Sequence, residues 1–294
     1  MTAATWDVRP MADADIPAII ELDLAAGGAA QRPRNSAFLS LALSTFPAGC
    51  SVAVSNGTLV GCVFCHRWGS LGWIGPLLVH PSSQGQGIGT ALLRSAIESL
   101  SGKAEIIGVQ APADCRDAFS FYLSSGFQLV EPQILISHSA EPPRAASQDV
   151  VRRPVQDHYM CMEVGQSLAG ASLGAWIGLG RAEQQAGGVS IEFEPRRELH
   201  GQRSAVVCAG VVPRSLGCEA LGTAMESACG AAHAAGSSSV FVALNATYQR
   251  EIDFLRSRGW RIRGLQLRMV YAKAVTRYRQ MLSLPQVDAT NWTL

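Results

Sequence analysis

The sequence predicts a mixed α/β (α+β) protein made of two tandem domains, each a mixed, mainly antiparallel sheet flanked by helices. Three observations predict it. Strand-like runs and helix-period runs follow one another in the same order in both halves. Fragments of the halves coincide at an offset of 133 positions: Gly89-Thr90-Ala91 falls on Gly222-Thr223-Ala224, and Gly126-Phe127 on Gly259-Trp260. Between the halves, His138–Pro154 holds three prolines, small polar residues and no sustained periodicity, which is linker composition. The expected divisions are a first domain at 5–138, a linker at 139–154, a second domain at 155–275 and a C-terminal tail at 276–294.

In the first half Trp6–Arg9 reads as a short strand. Asp13–Ala26 follows as a helix, with Asp13 as N-cap, Pro17 in the first turn, and Ile16, Ile19, Ile20 and Leu24 near helical spacing. A second helix is expected over 35–46. Cys50–Ser55 and Leu59–Trp68 flank Asn56-Gly57, a dipeptide suited to a tight hairpin turn. Trp73–Val79 is a strand, Gly89–Leu100 a helix, Glu105–Gln110 a strand, Asp114–Ser125 a helix and Phe127–Ile136 a closing strand. The second half repeats the later part: strand Ser204–Val212, helix Ala220–Ala235, strand Ser239–Leu244, helix Tyr248–Arg258, strand Arg261–Val270. Repetition on this length means duplicated domains rather than a solenoid. Residues 165–188, rich in Gly and Ala, present no clear pattern.

At 294 residues the chain suits two domains, and an apolar fraction of 48% with 16% charged residues is that of ordered globular protein. The net charge is +1, with both signs spread along the chain, so no basic stripe invites nucleic acid or an anionic membrane. No apolar run reaches bilayer length. Met1–Arg9 lacks a charged start followed by an apolar stretch, and the expected location is cytoplasmic. Cys62 and Cys65 form a C-x-x-C without a second pair at zinc spacing; on a strand they point to opposite faces and read as packing thiols, and no metal is expected.

One junction carries chemistry. The strand ending at Val79 runs through His80-Pro81-Ser82-Ser83 into Gln84-Gly85-Gln86-Gly87-Ile88-Gly89-Thr90, where a helix begins. Three glycines in five residues leave backbone N–H groups unobstructed at a helix N-terminus, which suits a diphosphate. A Walker loop would need a lysine before Thr90, and a dinucleotide fold would need G-x-G-x-x-G after the first strand. Neither pattern is present. A flexible glycine turn without a ligand is the bland reading.

Gln84–Gly89 resembles the Q/R-x-x-G-x-G/A signature of the GNAT superfamily of acyl-CoA N-acyltransferases, and Leu77-Leu78-Val79-His80-Pro81 looks like the strand and V-x-P approach before it. Further on, Ala118–Phe127 is similar to the family's A-x-x-x-Y-x-x-x-G-F segment. The resemblance covers most of residues 5–138. It implies N-acetyl transfer from acetyl-CoA, as co-substrate, to a primary amine of a small molecule or peptide by direct attack. Backbone groups of Leu77 and Val79, with Leu78 between them, would hold the pantetheine arm. The N–H groups of Gln84, Gly85, Gln86, Gly87, Ile88 and Gly89, with the Thr90 hydroxyl, would hold the pyrophosphate. Tyr122 would protonate the departing thiolate. Cys115 stands where the family often has an asparagine on the CoA arm.

The general base is less defined. Leu71–Val79 has no acidic residue, where some members place one. His66 on the preceding strand is a candidate base or a structural histidine. Glu21 and Asp23 read as a solvated helix end or as a face for the amine; deprotonation through water is the default. Two other readings stay open: a CoA-binding or regulatory tandem protein without turnover, and transfer of longer acyl groups. A homodimer is also open.

In the second half the frame is copied without the chemistry. Gln84 falls on Gly217, Gly87 on Ala220 and Tyr122 on Leu255. An alternative register, Arg214-Ser215-Leu216-Gly217, places Glu219 at the last glycine position, where a carboxylate would repel a diphosphate. The second domain is expected to be degenerate.

Overall fold

The computed structural model describes residues 6–27, 36–68, 71–142, 150–153, 174–179, 187–192, 204–282 and 286–288. The chain forms two compact units that divide between Val109 and Gln110. Half of the linker and most of residues 165–188 lie outside the described residues, as do the last six residues of the tail. Two strands do fall there: Val150–Arg153 within the linker and Gly174–Leu179 within the Gly/Ala-rich stretch.

In the first unit, β1 (Trp6–Pro10), β2 (Ser51–Ser55), β3 (Thr58–Trp68) and β4 (Leu71–Val79) form an antiparallel meander, and β4 then pairs in parallel with β5 (Ile106–Pro112). The turn between β2 and β3 is Asn56-Gly57, both at positive φ (50° and 77°), which a tight hairpin requires. One face carries α1 (Ile16–Gly27) and α2 (Ser36–Thr45), packed on Cys62 and Phe64 of β3 through Ile16, Ile19, Leu22 and Leu39. The other face carries α3 (Ile88–Leu100), whose Ile88, Leu92, Leu93, Ala96 and Leu100 make a buried stripe at helical spacing. The Cys65 thiol faces α3, within 3.8 Å of the Ala96 carbonyl. Cys62 and Cys65 therefore take opposite faces, both buried.

Two local expectations are corrected. Asp13 does not cap the first helix. A 3₁₀ turn (Asp13–Asp15) precedes α1 behind Ala12, and it is the Asp15 carboxylate that accepts the Ala12 N–H (2.8 Å) and both ends of the Arg9 guanidinium. Those donors hold the Asp15 carboxyl below its ordinary pKa. Asp23 is not at a solvated helix end either, being 2% exposed.

In the second unit the strands run in the order β12 (Arg261–Tyr271), β6 (Phe127–Ser139), β11 (Ser239–Asn245), β10 (Ser204–Pro213), β9 (Gly187–Glu192), β8 (Gly174–Leu179), β7 (Val150–Arg153). All neighbours are antiparallel except β10 and β11. The helices are α4 (Arg116–Ser124), α5 (Gly217–Ala234), α6 (Gln249–Ser257) and α7 (Val275–Leu282). The core packs α5 through Leu221, Ala224, Met225 and Ala228 against Val207, Val240, Val242 and Leu244. The 133-residue offset holds to the residue for β5 against β11 and for α4 against α6.

The last strand of the first repeat, β6, lies between β11 and β12 of the second. Gln133 pairs with Gln266, its own counterpart at the offset of 133, so the local two-fold axis of the repeat passes between them. Beside it Glu131 and Arg268 are paired neighbours, 4% and 1% exposed, in an ion pair of 3.0 Å. Tyr278 donates to Glu131 at 2.8 Å, and Gln133 and Asn245 donate to it as well. Charges this deep persist because each finds a partner.

Candidate functional site

β4 and β5 pair only over Leu71–Trp73 and Ile106–Gly108. From Ile74 onward that edge of β4 has no β5 partner. The N–H of His80 donates to Val60 (2.8 Å), so by antiparallel alternation Leu78 shares the bonded pair with Cys62. The backbone groups of Leu77 and Val79 then turn to the unpaired edge. A bulge lies on β4 at Gly75-Pro76, opposite the single residue between Val63 and Cys65 of β3, and His66 Nε2 sits 3.1 Å from the Gly75 carbonyl. Since a carbonyl only accepts, Nε2 carries the proton in this contact, and His66 serves the bulge.

After Val79 a 3₁₀ turn (Pro81–Ser83) is capped by His80 Nδ1, which accepts from the Ser82 hydroxyl (2.7 Å) and backbone N–H (3.3 Å). Gln84 folds back to donate to the Val79 carbonyl (3.3 Å). Gly85 and Gly87 both lie at positive φ (76° and 83°), where a side chain would strain the backbone. Gly87 caps α3, and the first helical bond runs from the Ala91 N–H to the Gly87 carbonyl. Among the described residues the six N–H groups from Gly85 to Thr90 thus have no acceptor, on a loop that is exposed apart from Ile88 and Gly89. Unpaired donors at a helix start, with the helix dipole behind them, form an anion cradle.

Two supports were not read from the sequence. The Trp6 indole N–H donates to the Gln86 carbonyl (3.2 Å), bracing the loop from β1. Gly61 lets α3 approach β3: a Cβ there would lie 2.9 Å from Leu92 Cδ1 and 3.1 Å from the Leu78 carbonyl. A long-range contact and a close approach leave no local pattern.

Cys115 and Tyr122 belong to the second unit. Cys115 is the exposed N-cap of α4. Tyr122 is the buried residue of α4, with its ring 5.8 Å from Phe127 edge-on. Burial, with a smaller push from Cys115, raises the phenol to about 12, so it stays protonated. At the matched position of α6, Leu255 is fully buried. Glu219 is turned toward Arg258, with Oε2 2.6 Å from the guanidinium.

A mixed, mainly antiparallel sheet that opens beside an anion cradle at a helix start is the frame of the GNAT acyltransferases. Residues 47–129 match the family model of the acetyltransferase (GNAT) domain. That segment carries the GNAT acetyltransferase domain, and the later elements of the chain repeat its order. No curated protein matches it in sequence. In fold it is similar to a provisionally assigned acetyltransferase from Pyrococcus horikoshii (TM-score 0.68, 14% identity, 92% of this chain and 89% of that one). It is also similar to a GCN5-related N-acetyltransferase from Sphaerobacter thermophilus (0.63, 17%, 90% and 95%). A tandem GNAT protein from the clavulanic acid biosynthesis pathway is a third (0.61, 15%, 90% and 98%).

Proposed function

We propose that the first repeat is an N-acetyltransferase that moves an acetyl group from acetyl-CoA to a primary amine of a small molecule or peptide. The observation that carries this reading is the run of six N–H groups from Gly85 to Thr90 that have no acceptor among the described residues, set beside the edge of β4 that β5 leaves. In this reading the pyrophosphate sits on those groups and the pantetheine arm follows Leu77–Val79. The amine attacks the thioester carbonyl, its proton leaves through water, and Tyr122 donates a proton to the departing sulfur. Raised to about 12, the phenol is a weaker acid than a free tyrosine. Transfer to a thiolate whose conjugate acid is ordinarily at ~8.5 is favourable only where the closed site raises that thiol past the phenol. The burial of Tyr122 is in keeping with this.

The functional domains in this reading are residues 5–138, catalytic, and 155–275, degenerate. The rival reading is a CoA-binding protein without turnover, favoured by the lack of an acid on Leu71–Val79. A screen of amines against acetyl-CoA with thiol detection separates the two. Thiol release that depends on the amine supports the transferase, and CoA binding with no release for any amine supports the rival. Longer acyl donors in the same screen test the acyl length.

A further inference from the structure

At the place in the second repeat that matches the Gln84–Thr90 loop lies a cavity of about 360 Å³. Arg214, Cys218 and Leu221 line it from the start of α5, and Thr247, Arg250 and Glu251 from the start of α6. The Arg214 guanidinium rests on the Tyr248 ring, 5.0 Å from its centroid, and its Nε is 3.6 Å from Glu251. That distance is an ion pair too long for a hydrogen bond. The wall thus draws on two arginines and one carboxylate, with Arg214 beside Glu251. The Glu219 carboxylate, held by Arg258, is not part of that wall, so it does not oppose an anion there.

The cleft behind the cavity differs from that of the first repeat. β10 and β11 pair over Ser204–Val206 and Ser239–Phe241, the same three-pair ladder as β4 and β5. Beyond it, β13 (Gln286–Asp288) pairs with Val211–Pro213. Val211 meets β9 on one side and β13 on the other, so β13 lies on the edge that β11 leaves. These positions match Leu78–His80. The chain's own strand covers the edge along which a pantetheine arm would run, while a short ligand needs no such path.

We propose that this cavity binds a small phosphate-bearing molecule, with the phosphate held between Arg214 and Arg250. A phosphate presents tetrahedral oxygens to two guanidiniums arriving from different elements, and arginine forks match that geometry. The proposal stands whether or not the first repeat turns over.

Cys218 offers a local reporter, since it lies in the cavity wall and is partly exposed. The full-length protein is treated with iodoacetamide, an uncharged reagent, and alkylation of the Cys218 peptide is followed by mass spectrometry. The probe is inorganic phosphate against chloride at equal ionic strength. At nine times its Kd, phosphate should slow the reaction roughly tenfold, because only the free fraction reacts. Arg214→Gln and Arg250→Gln, both at exposed positions, should each weaken that protection. A Cys218 rate indifferent to phosphate, or protection that survives both replacements, overturns the proposal. Protection by acetyl-CoA but not by phosphate overturns it in favour of a retained CoA site.

Discussion

Leu71–Trp73 with Ile106–Gly108, and Ser204–Val206 with Ser239–Phe241, make one parallel ladder twice, at a constant offset of 133 residues. In both repeats a 3₁₀ turn and a helix follow the strand. The first repeat then has glycines at positive φ at Gly85 and Gly87 and an unpaired β4 edge. The second keeps only Gly217 at positive φ (73°) in that loop, carries Cys218 and Ala220 beside it, and covers the edge with β13. The difference teaches that the same frame tolerates a different loop and a differently paired edge. Buried aliphatic strands such as Val240, Val242 and Leu244 hold the second sheet together irrespective of its loop.

The sharpest way to break the comparison is to place an acid in each loop. Gly87→Glu is expected to abolish CoA binding by charge and by strain at positive φ, whereas Ala220→Glu is expected to leave it unchanged. Calorimetric titration with acetyl-CoA checks both, with one site per chain in the native protein. Two sites, or one surviving Gly87→Glu, would mean that the wrong repeat has been assigned.

Strand β6, set between β11 and β12, offers a second test. Arg268→Leu leaves the Glu131 charge buried without its guanidinium, and should cost about 3–5 kcal/mol in urea unfolding. A loss under ~1 kcal/mol would mean that the remaining donors to Glu131 suffice.

Catalysis should separate Tyr122 from its counterpart Leu255. Tyr122→Phe is expected to lower kcat on the order of 10²-fold with CoA affinity unchanged. An unchanged kcat would reduce Tyr122 to the packing role that Leu255 plays.

Gly61→Val probes the support of the cradle. Its side chain would meet Leu92, Ile88 and the Leu78 carbonyl, pushing α3 outward. The expected cost is about 1–3 kcal/mol, with weaker CoA binding, read from thermal melts and titration of the same sample. The smallest effect is expected for Asp15→Asn, under about 1 kcal/mol because Arg9 is 44% exposed. The folded-state pKa of Asp15 is depressed, so its contribution is present above the ordinary carboxylate pKa and lost as pH falls through the depressed value. Melts of native and variant protein should therefore converge in acid.

Much of the candidate site's frame was legible because its signals are local. Glycines at alternate positions between an apolar strand and an amphipathic helix mark the cradle, and the repeat offset places each later element of the second half. The helix start at Asp13 was misread because an N-cap pattern also fits Asp15, whose carboxylate reaches back from inside the turn. The brace from Trp6 and the close approach at Gly61 depend on residues far apart in sequence.

By itself the sequence determined the order of the main elements over 6–139 and 204–271, the glycine loop and the absence of its glycine pattern from the second half, since each rests on residues within a few positions of one another. Only the tertiary structure decided that β6 pairs with β11 and β12, that Glu131 is buried against Arg268, and that β13 covers the edge of β10. An amphipathic strand specifies which face is buried but not which partner it joins. Where two repeats offer equivalent edges, the choice falls to long-range packing.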